Sequence, residues 1–197
     1  MELATQESGG VLSSQQAVEQ FLCGAIRGDT LNWPAAPDDG FYQRFLEQAI
    51  ANGVDLLVGH CLDSTAAWQK FPTETRAQFE QRARNAIAVE MARSRDLVAL
   101  LEEFTGQGLD VLLIKGSALA STHYPQPHLR ARVDTDLLID PARIRQVRAV
   151  LQALDYDLVG WTYKSHQFNA TREKFGGRVI RYDVHWRANN GARYARV

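Results

Sequence analysis

Two aspartates separated by one residue, Asp134 and Asp136, lie beside the apolar run Leu137–Ile139. Residues i and i+2 of a β-strand face the same side of a sheet, so the two carboxylates are predicted to project together. Two negative charges that close disfavour each other's ionisation, and a cation bound between them removes the conflict. Because hard oxygen ligands suit Mg²⁺ in particular, the pattern predicts a metal site on one face of a buried strand.

A candidate phosphate-binding turn lies upstream of this pair. The apolar run Val111–Ile114 predicts a buried strand, and Lys115, Gly116 and Ser117 follow it at the predicted start of a helix. A glycine and a serine at such a junction let a phosphate approach the backbone N–H groups of the helix start. An ordinary strand-to-helix turn with Ser117 as the N-cap residue is the simpler interpretation, and the two are compatible.

A third candidate acid, Asp183, lies in a segment where apolar and polar residues alternate, from Val179 to Trp186. The alternation predicts a half-buried strand with Asp183 and His185 on one face. The simpler interpretation of Asp183 is a surface acid paired with a neighbouring arginine. For His185, we expect a hydrogen-bonded structural histidine, and a contact to the site or substrate is the alternative.

These segments, in this order, resemble the DNA polymerase β-type nucleotidyltransferase superfamily. Gly116-Ser117, then Asp134-x-Asp136, then a single Asp183 on a later strand is the layout of that superfamily. The segments 114–120, 130–139 and 183–187 are more closely similar to the bacterial group called uncharacterised nucleotidyltransferase family proteins. The resemblance covers roughly residues 85–187.

The resemblance implies transfer of a nucleoside monophosphate from an NTP to a hydroxyl acceptor, with release of pyrophosphate. ATP is the usual donor, and two Mg²⁺ ions, with Mn²⁺ as an alternative, are the expected cofactors. Asp183 would act on the attacking hydroxyl as a base or as a ligand of the catalytic metal. The implied metal ligands and catalytic residues are Asp134, Asp136 and Asp183, and the implied nucleotide contacts are Gly116, Ser117, Lys115 and Arg130.

Other interpretations of the same residues stay open. Lys115 and Arg130 are long cations that often simply pair with nearby acids. A haloacid dehalogenase-type phosphatase also carries Asp-x-Asp after a strand, but it requires Thr or Val where Leu138 stands. That interpretation also leaves the upstream Lys115-Gly116-Ser117 turn without a role. A non-catalytic NTP-binding or protein-interaction module with the same fold is the alternative function. Neither the base of the NTP nor the acceptor, whether sugar, antibiotic, tRNA or protein, is specified by the residues.

The predicted architecture is α+β, a small mixed sheet flanked by helices, with an all-helical N-terminal cap. We expect an N-terminal helical region at 1–84 and a nucleotidyltransferase-like core at 85–197. Predicted helices are 13–27, 41–52, 56–62, a region opening at Pro72, 85–104 and 143–154, and predicted strands are 111–114, 132–139, 158–163, 168–172 and 179–186. Similar proteins continue into more helices beyond the last strand, so an incomplete acceptor pocket is expected here.

Composition places the chain among globular proteins, with 45% hydrophobic and 23% charged residues. The net charge of −1 gives no overall basic field that would favour nucleic acid or an anionic membrane. No apolar stretch reaches the ~20 residues of a membrane helix, and no basic N-terminal region indicates a signal peptide, so a cytoplasmic protein is expected. The basic end, 171–197, is expected to be solvated, with phosphate binding as the alternative. Cys23 and Cys61 are predicted to be buried free thiols.

Overall fold

The computed structural model describes residues 14–29, 37, 40–160, 166–174 and 177–187. The end of the predicted strand 158–163 and the basic residues Arg193 and Arg196 lie outside this part of the chain. The chain forms two compact units, Met1–Ala83 and Arg84–Val197. Among the helices within the described residues, none is long and apolar enough to cross a membrane.

Every secondary-structure element in the described part of the first unit is a helix. Its helices are α1 (Ser14–Arg27), α2 (Phe41–Ala51), α3 (Asp55–Asp63) and the first turns of α4 (Thr73–Gly106). The buried face of α1 carries Val18, Leu22 and Ala25, at the i, i+4, i+7 spacing of one side of a helix. Aromatic side chains dominate the core of this unit, which includes Phe41, Phe45, Trp68, Phe71 and Phe79.

The prediction that both cysteines are buried was wrong. Both thiols are free, but Cys23 is exposed and Cys61 is half-buried. Cys23 directly follows the buried Leu22, and one residue turns a helix by about 100°, which carries its side chain out of the buried face. Burial raises the pKa of the Cys61 thiol above its usual range.

The second unit contains a five-stranded mixed sheet. After the end of α4, its elements are β1 (Val111–Ile114), α5 (Lys115–Thr122), β2 (Thr135–Ile139), α6 (Ile144–Ala153), β3 (Asp157–Val159), β4 (Gln167–Lys174) and β5 (Arg178–His185). The strand order is β1-β2-β5-β4-β3, in which β2 and β5 are parallel and every other neighbouring pair is antiparallel. The predicted α+β class, with a mixed sheet flanked by helices and a helical N-terminal part, is confirmed.

The hairpin of β4 and β5 is inserted into a crossover connection. The chain leaves β2, passes through α6 and forms β3, which runs in the same direction as β2. Instead of pairing with each other, β2 and β3 enclose β5 and β4 between them. As a result, β5 becomes a central strand, with β2 on one side and β4 on the other.

The long helix α4 packs with a face that its apolar pattern did not identify. The sequence predicted a helix from the spacing of Ile87, Met91, Val98 and Leu101; the first three side chains are exposed, whereas Leu101 is partly buried and packs against the core of the second unit. Leu100 and Phe104 are the α4 residues that enter the core of the second unit. Sequence periodicity therefore identified the helix, although most of the apolar residues that carry the pattern lie outside its buried face.

A buried carboxylate on α4 is bound by side chains from the sheet. Asp96 accepts hydrogen bonds from the hydroxyls of Tyr156 and Tyr182, the second at 2.9 Å, and from the guanidinium of Arg172. Burial is the first cause that raises the pKa of both tyrosines above the usual range, and the charge of Asp96 adds to it. Both hydroxyls therefore remain protonated donors, which the buried carboxylate requires.

We expect Asp96→Ala to destabilise the protein strongly. The Asp96 side chain is 1% exposed, and its loss leaves the partly buried Arg172 charge and two tyrosine hydroxyls without this acceptor. Breaking a buried ion pair in this way typically costs about 3–5 kcal/mol. Urea unfolding measures the change. Glu102→Ala, at an exposed position of the same helix, is the control and should stay within about 0.5 kcal/mol of the unmodified protein. An equally small effect of Asp96→Ala would contradict the assigned role of the network.

Candidate functional site

The pairing of three neighbouring strands places polar side chains in one row across the sheet. The parallel pairing of β2 with β5 aligns Asp136 with Asp183, and the antiparallel pairing of β5 with β4 aligns Asp183 with Asn169. Directly paired residues of adjacent strands lie on the same side of a sheet, close enough for their side chains to interact. The sheet register alone therefore brings two carboxylates and an amide together.

The alternation along β5 separates this row from the core. Tyr182 and Val184 are fully buried in the core of the second unit. Asp183 and His185 consequently face the opposite side of the sheet, as the alternating sequence pattern predicted. His185 is itself only 2% exposed, so it lies beneath the site surface and not in open solvent.

Asp136 is bound by a lysine and a histidine. Its Oδ1 accepts a hydrogen bond from Lys115 Nζ at 2.8 Å and lies 2.9 Å from His185 Nε2. Those two nitrogens are 3.2 Å apart. Ligand atoms of Asp136, Asp183 and His185 all lie within 4.8 Å of one another. Two carboxylates and an imidazole are thus collected at one point.

The pKa of Asp183 is raised by its surroundings in the cluster. Partial burial, followed by the negative charges of Asp134 and Asp136, raises its pKa above the usual range. The charge of His185 and a hydrogen bond that Asn169 Nδ2 donates to Asp183 Oδ1 at 2.6 Å act in the opposite direction. The negative charges of Asp134 and Asp136 therefore add to burial in disfavouring the ionised form of Asp183.

Asp134 approaches the cluster from the segment before β2. Since β2 begins at Thr135, strand alternation alone does not fix the direction of Asp134. The nearby Arg132 holds the segment to α4, because its guanidinium donates to Glu90 Oε1 at 2.7 Å and its carbonyl accepts from Arg93 at 3.1 Å. Asp134 lies outside the group of three ligands, although its charge reaches Asp183.

The strand-to-helix turn provides a second group of polar atoms. Helix α5 begins at Lys115, whose backbone adopts a positive φ of 52°, a region that non-glycine residues rarely occupy. Ser117 is not the N-cap residue, because that position is Ile114, which makes no side-chain cap. Ser117 Oγ is instead buried and, within the described part of the chain, has no hydrogen-bond partner.

Arg130 lies over the same turn. A Cβ added at Gly116 would stand 3.9 Å from Arg130 Nη2, so the guanidinium faces the glycine backbone at the distance of an ordinary contact. The Arg130 side chain also stacks on Tyr124, with 5.7 Å between Cζ and the ring centroid. Gly116, Ser117 and Arg130 thus form one group at the start of α5, and Lys115 connects it to the carboxylates.

Sequence reasoning missed one contact of the site and gave a second only as an alternative. Asn169 was not identified, since the register of the β4–β5 hairpin depends on pairing that local sequence does not specify. His185 was expected to be a structural histidine, yet it lies among the candidate ligand atoms. Its position two residues after Asp183 on an alternating strand was the available signal.

The sequence model of the family described as Uncharacterised nucleotidyltransferase matches residues 41–196. The chain belongs to this family. No curated protein and no solved structure matches the chain. The family match begins well before the segment 85–187 that carries the motif resemblance, and it includes α2 and α3 of the first unit.

The side chains collected at this site fit a divalent cation. Carboxylate oxygens from Asp136 and Asp183 and an imidazole nitrogen from His185 are ordinary ligands of such ions. Partial burial is the first cause that raises the pKa of Asp183, and the charges of Asp134 and Asp136, which a cation would neutralise, add to it. Nucleotidyltransferases generally use divalent metals, in agreement with this donor set.

We expect substitutions around Asp183 to move its pKa in opposite directions. Asp134→Asn removes a negative charge and should lower the Asp183 pKa toward its ordinary value. Asn169→Ala removes the hydrogen bond to the carboxylate and should raise the pKa further. NMR titration of the Asp183 carboxyl carbon, without added metal, measures both changes. Asp157→Asn, at an exposed position of β3, is the control that should leave the Asp183 titration unchanged.

Proposed function

We propose that the protein transfers a nucleoside monophosphate from an NTP to a hydroxyl acceptor and releases pyrophosphate. ATP is the proposed donor, and Asp134, Asp136 and Asp183 are the proposed ligands of two divalent cations, Mg²⁺ or Mn²⁺. The observation that carries the proposal is the alignment of Asp136 with Asp183 on parallel neighbouring strands, beside the turn that begins α5. Membership of a nucleotidyltransferase family supports an NTP as the substrate.

The start of α5 is suited to the triphosphate. The first N–H groups of a helix have no partner within the helix, and they favour anions at that end. Ser117 Oγ, buried without a partner among the described residues, would donate to a phosphate oxygen. The Arg130 guanidinium over Gly116 adds a fixed positive charge, and the absence of a side chain at Gly116 leaves room for the phosphate.

Asp183 is suited to the acceptor hydroxyl. Its carboxylate is aligned with Asp136 across the parallel strand pair, and Asn169 holds one of its oxygens in place, so it would act on the attacking hydroxyl as a base or as a ligand of the catalytic metal. A bound divalent cation would neutralise triphosphate charge and lower the pKa of the hydroxyl. In this proposal, most of the rate enhancement comes from positioning and charge neutralisation by residues of a rigid sheet.

The alternative is an NTP-binding or interaction module that keeps the fold without catalysis. One observation favours it, because Lys115 and His185 already occupy the Asp136 oxygen that a metal would need. The NTP-binding form of this alternative shares nucleotide binding with the proposed function and differs from it in pyrophosphate release, whereas an interaction module requires no nucleotide.

We expect NTP to stabilise the protein in a metal-dependent manner. A ligand at about 100 times its Kd adds about 2.7 kcal/mol to the free energy of unfolding, which raises the melting temperature by several degrees at this size. Thermal melting with Mg²⁺ plus ATP, GTP, CTP or UTP measures the change, and EDTA should abolish it. Absence of stabilisation by all four nucleotides with Mg²⁺ or Mn²⁺ would contradict the proposed function and the NTP-binding form of its alternative, and would leave only the interaction module.

We expect Asp136→Asn to remove activity and retain the fold. The substitution preserves shape but deletes a charge needed by the cation, and a loss of about 100-fold or more corresponds to at least ~2.7 kcal/mol of transition-state stabilisation. Labelled NTPs incubated with a cell lysate report transfer to the acceptor, and pyrophosphate release reports turnover. Asp157→Asn again serves as the matched control. Near-normal turnover by Asp136→Asn would exclude the aspartate pair as the metal site. If the unmodified protein binds NTP but releases no pyrophosphate, the result would favour the non-catalytic module.

A further inference from the structure

Three polar atoms of the site form a nearly equilateral triangle. Lys115 Nζ lies 2.8 Å from Asp136 Oδ1 and 3.2 Å from His185 Nε2, and these last two atoms are 2.9 Å apart. All three distances are hydrogen-bond distances. The His185 side chain is 3% exposed and that of Asp136 is 10% exposed, so bulk water has little access to either group.

The hydrogens available to the triangle cannot satisfy its three contacts together. A lysine ammonium only donates, and a carboxylate only accepts. If His185 Nε2 carries a hydrogen, this N–H group donates to Asp136 Oδ1. Its positively polarised hydrogen then lies close to the positively charged ammonium of Lys115. If Nε2 instead presents its lone pair to Lys115, the lone pair also faces the oxygen of Asp136. In either state one contact is unfavourable.

A divalent cation would remove this conflict. An unprotonated Nε2 and the oxygens of Asp136 and Asp183 would then all direct lone pairs at one positive centre, and their ligand atoms already lie within 4.8 Å of one another. We propose that His185 Nε2 is a metal ligand beside Asp136 and Asp183, and that the metal displaces the Lys115 ammonium from its contact with Asp136. This inference rests on the metal binding of the proposed function and specifies its ligands.

The ligand set determines which metal the site prefers. Imidazole nitrogen suits transition metals, whereas Mg²⁺ prefers an environment of oxygen ligands. A site with one nitrogen and two carboxylates therefore binds Mn²⁺ more tightly than Mg²⁺. An all-oxygen triad of Asp134, Asp136 and Asp183 would give the protein no nitrogen ligand with which to make that distinction.

Displacement of Lys115 couples the metal to the nucleotide. The Lys115 side chain is 50% exposed, so its ammonium can leave Asp136 without crossing the core. The next residue is Gly116, at the start of α5, where the triphosphate is proposed to bind. Once released, Lys115 Nζ becomes a free positive charge beside that turn. Because coupling between two ligands is reciprocal, metal strengthens nucleotide binding and nucleotide strengthens metal binding.

The test measures metal binding in the absence of nucleotide and of catalysis. Electron paramagnetic resonance counts free Mn²⁺, and competition with Mg²⁺ gives the relative affinity. His185→Gln should weaken Mn²⁺ binding by about tenfold or more and weaken Mg²⁺ binding much less. Lys115→Met should strengthen Mn²⁺ binding by about tenfold while it weakens ATP binding in the presence of metal. Arg181→Met is the matched control, since it removes an exposed positive charge two residues before Asp183 on the same strand.

A spectroscopic measurement on the unmodified protein keeps the inference testable if a variant fails to fold. Electron-spin-echo spectra of bound Mn²⁺ should show coupling to an imidazole ¹⁴N nucleus, and melting curves check each variant. Bound Mn²⁺ without nitrogen coupling overturns the assignment of His185. An equal gain in Mn²⁺ affinity from Lys115→Met and Arg181→Met overturns the displacement of Lys115, because it shows a general effect of charge.

The outcomes separate this inference from the proposed function. If the unmodified protein binds neither Mn²⁺ nor Mg²⁺, with or without NTP, the metal dependence of the proposed function fails and the inference fails with it. If metal and NTP bind but His185→Gln retains the metal preference of the unmodified protein, the inference alone fails. Transfer activity with Mg²⁺ and no preference for Mn²⁺ would likewise leave the proposed function intact and overturn the nitrogen ligand.

Discussion

The parallel pairing of β2 with β5 is the constraint on which the rest of the second unit depends. It aligns Asp136 with Asp183, and backbone hydrogen bonds along the two strands hold the carboxylates side by side whatever their mutual repulsion. The same pairing aligns Thr135 with Tyr182, which lies on the opposite face and binds Asp96. One register therefore fixes an acidic cluster on one face of the sheet and a buried polar network on the other.

The carboxylates on the two faces of the sheet differ in how completely neighbouring donors compensate their charge. Asp96 has a guanidinium and two tyrosine hydroxyls as donors, so the charge is compensated and the network serves to hold α4 against the sheet. The carboxylates on the other face are contacted by a half-exposed lysine, an imidazole and one amide, and partial burial, followed by the negative charges of Asp134 and Asp136, raises the pKa of Asp183. Incomplete compensation next to a rigid, fully compensated network is the arrangement expected of a binding site, because strain persists only where the surrounding structure holds it in place.

Local patterns in the sequence predicted most elements, and they failed where the answer depends on contacts between distant segments. Alternation along β5 correctly placed Asp183 and His185 on one face, since period two is a property of any strand. Nothing local indicated that β5 would insert beside β2, so the proximity of Asp136 and Asp183 followed from the family resemblance alone. The contact from Asn169 required the hairpin register, and the exposed apolar side of α4 required knowledge of which helix face meets the sheet. The roles of the site residues remain predictions.

A lysine at position 115 differs from an arginine in how it would bind the neighbouring carboxylate. An arginine there would bind a carboxylate through two parallel hydrogen bonds from its planar guanidinium. Such a bidentate pair resists replacement by a metal. A lysine ammonium is a compact charge on a flexible stem, so it can neutralise Asp136 in one state and contact a phosphate in another. The positive φ of Lys115 directs the chain from β1 into α5 at this residue, which places the ammonium between the acids and the helix start. In the proposed displacement, this single side chain would exchange its acidic partner for a phosphate without any movement of the strands that hold the site.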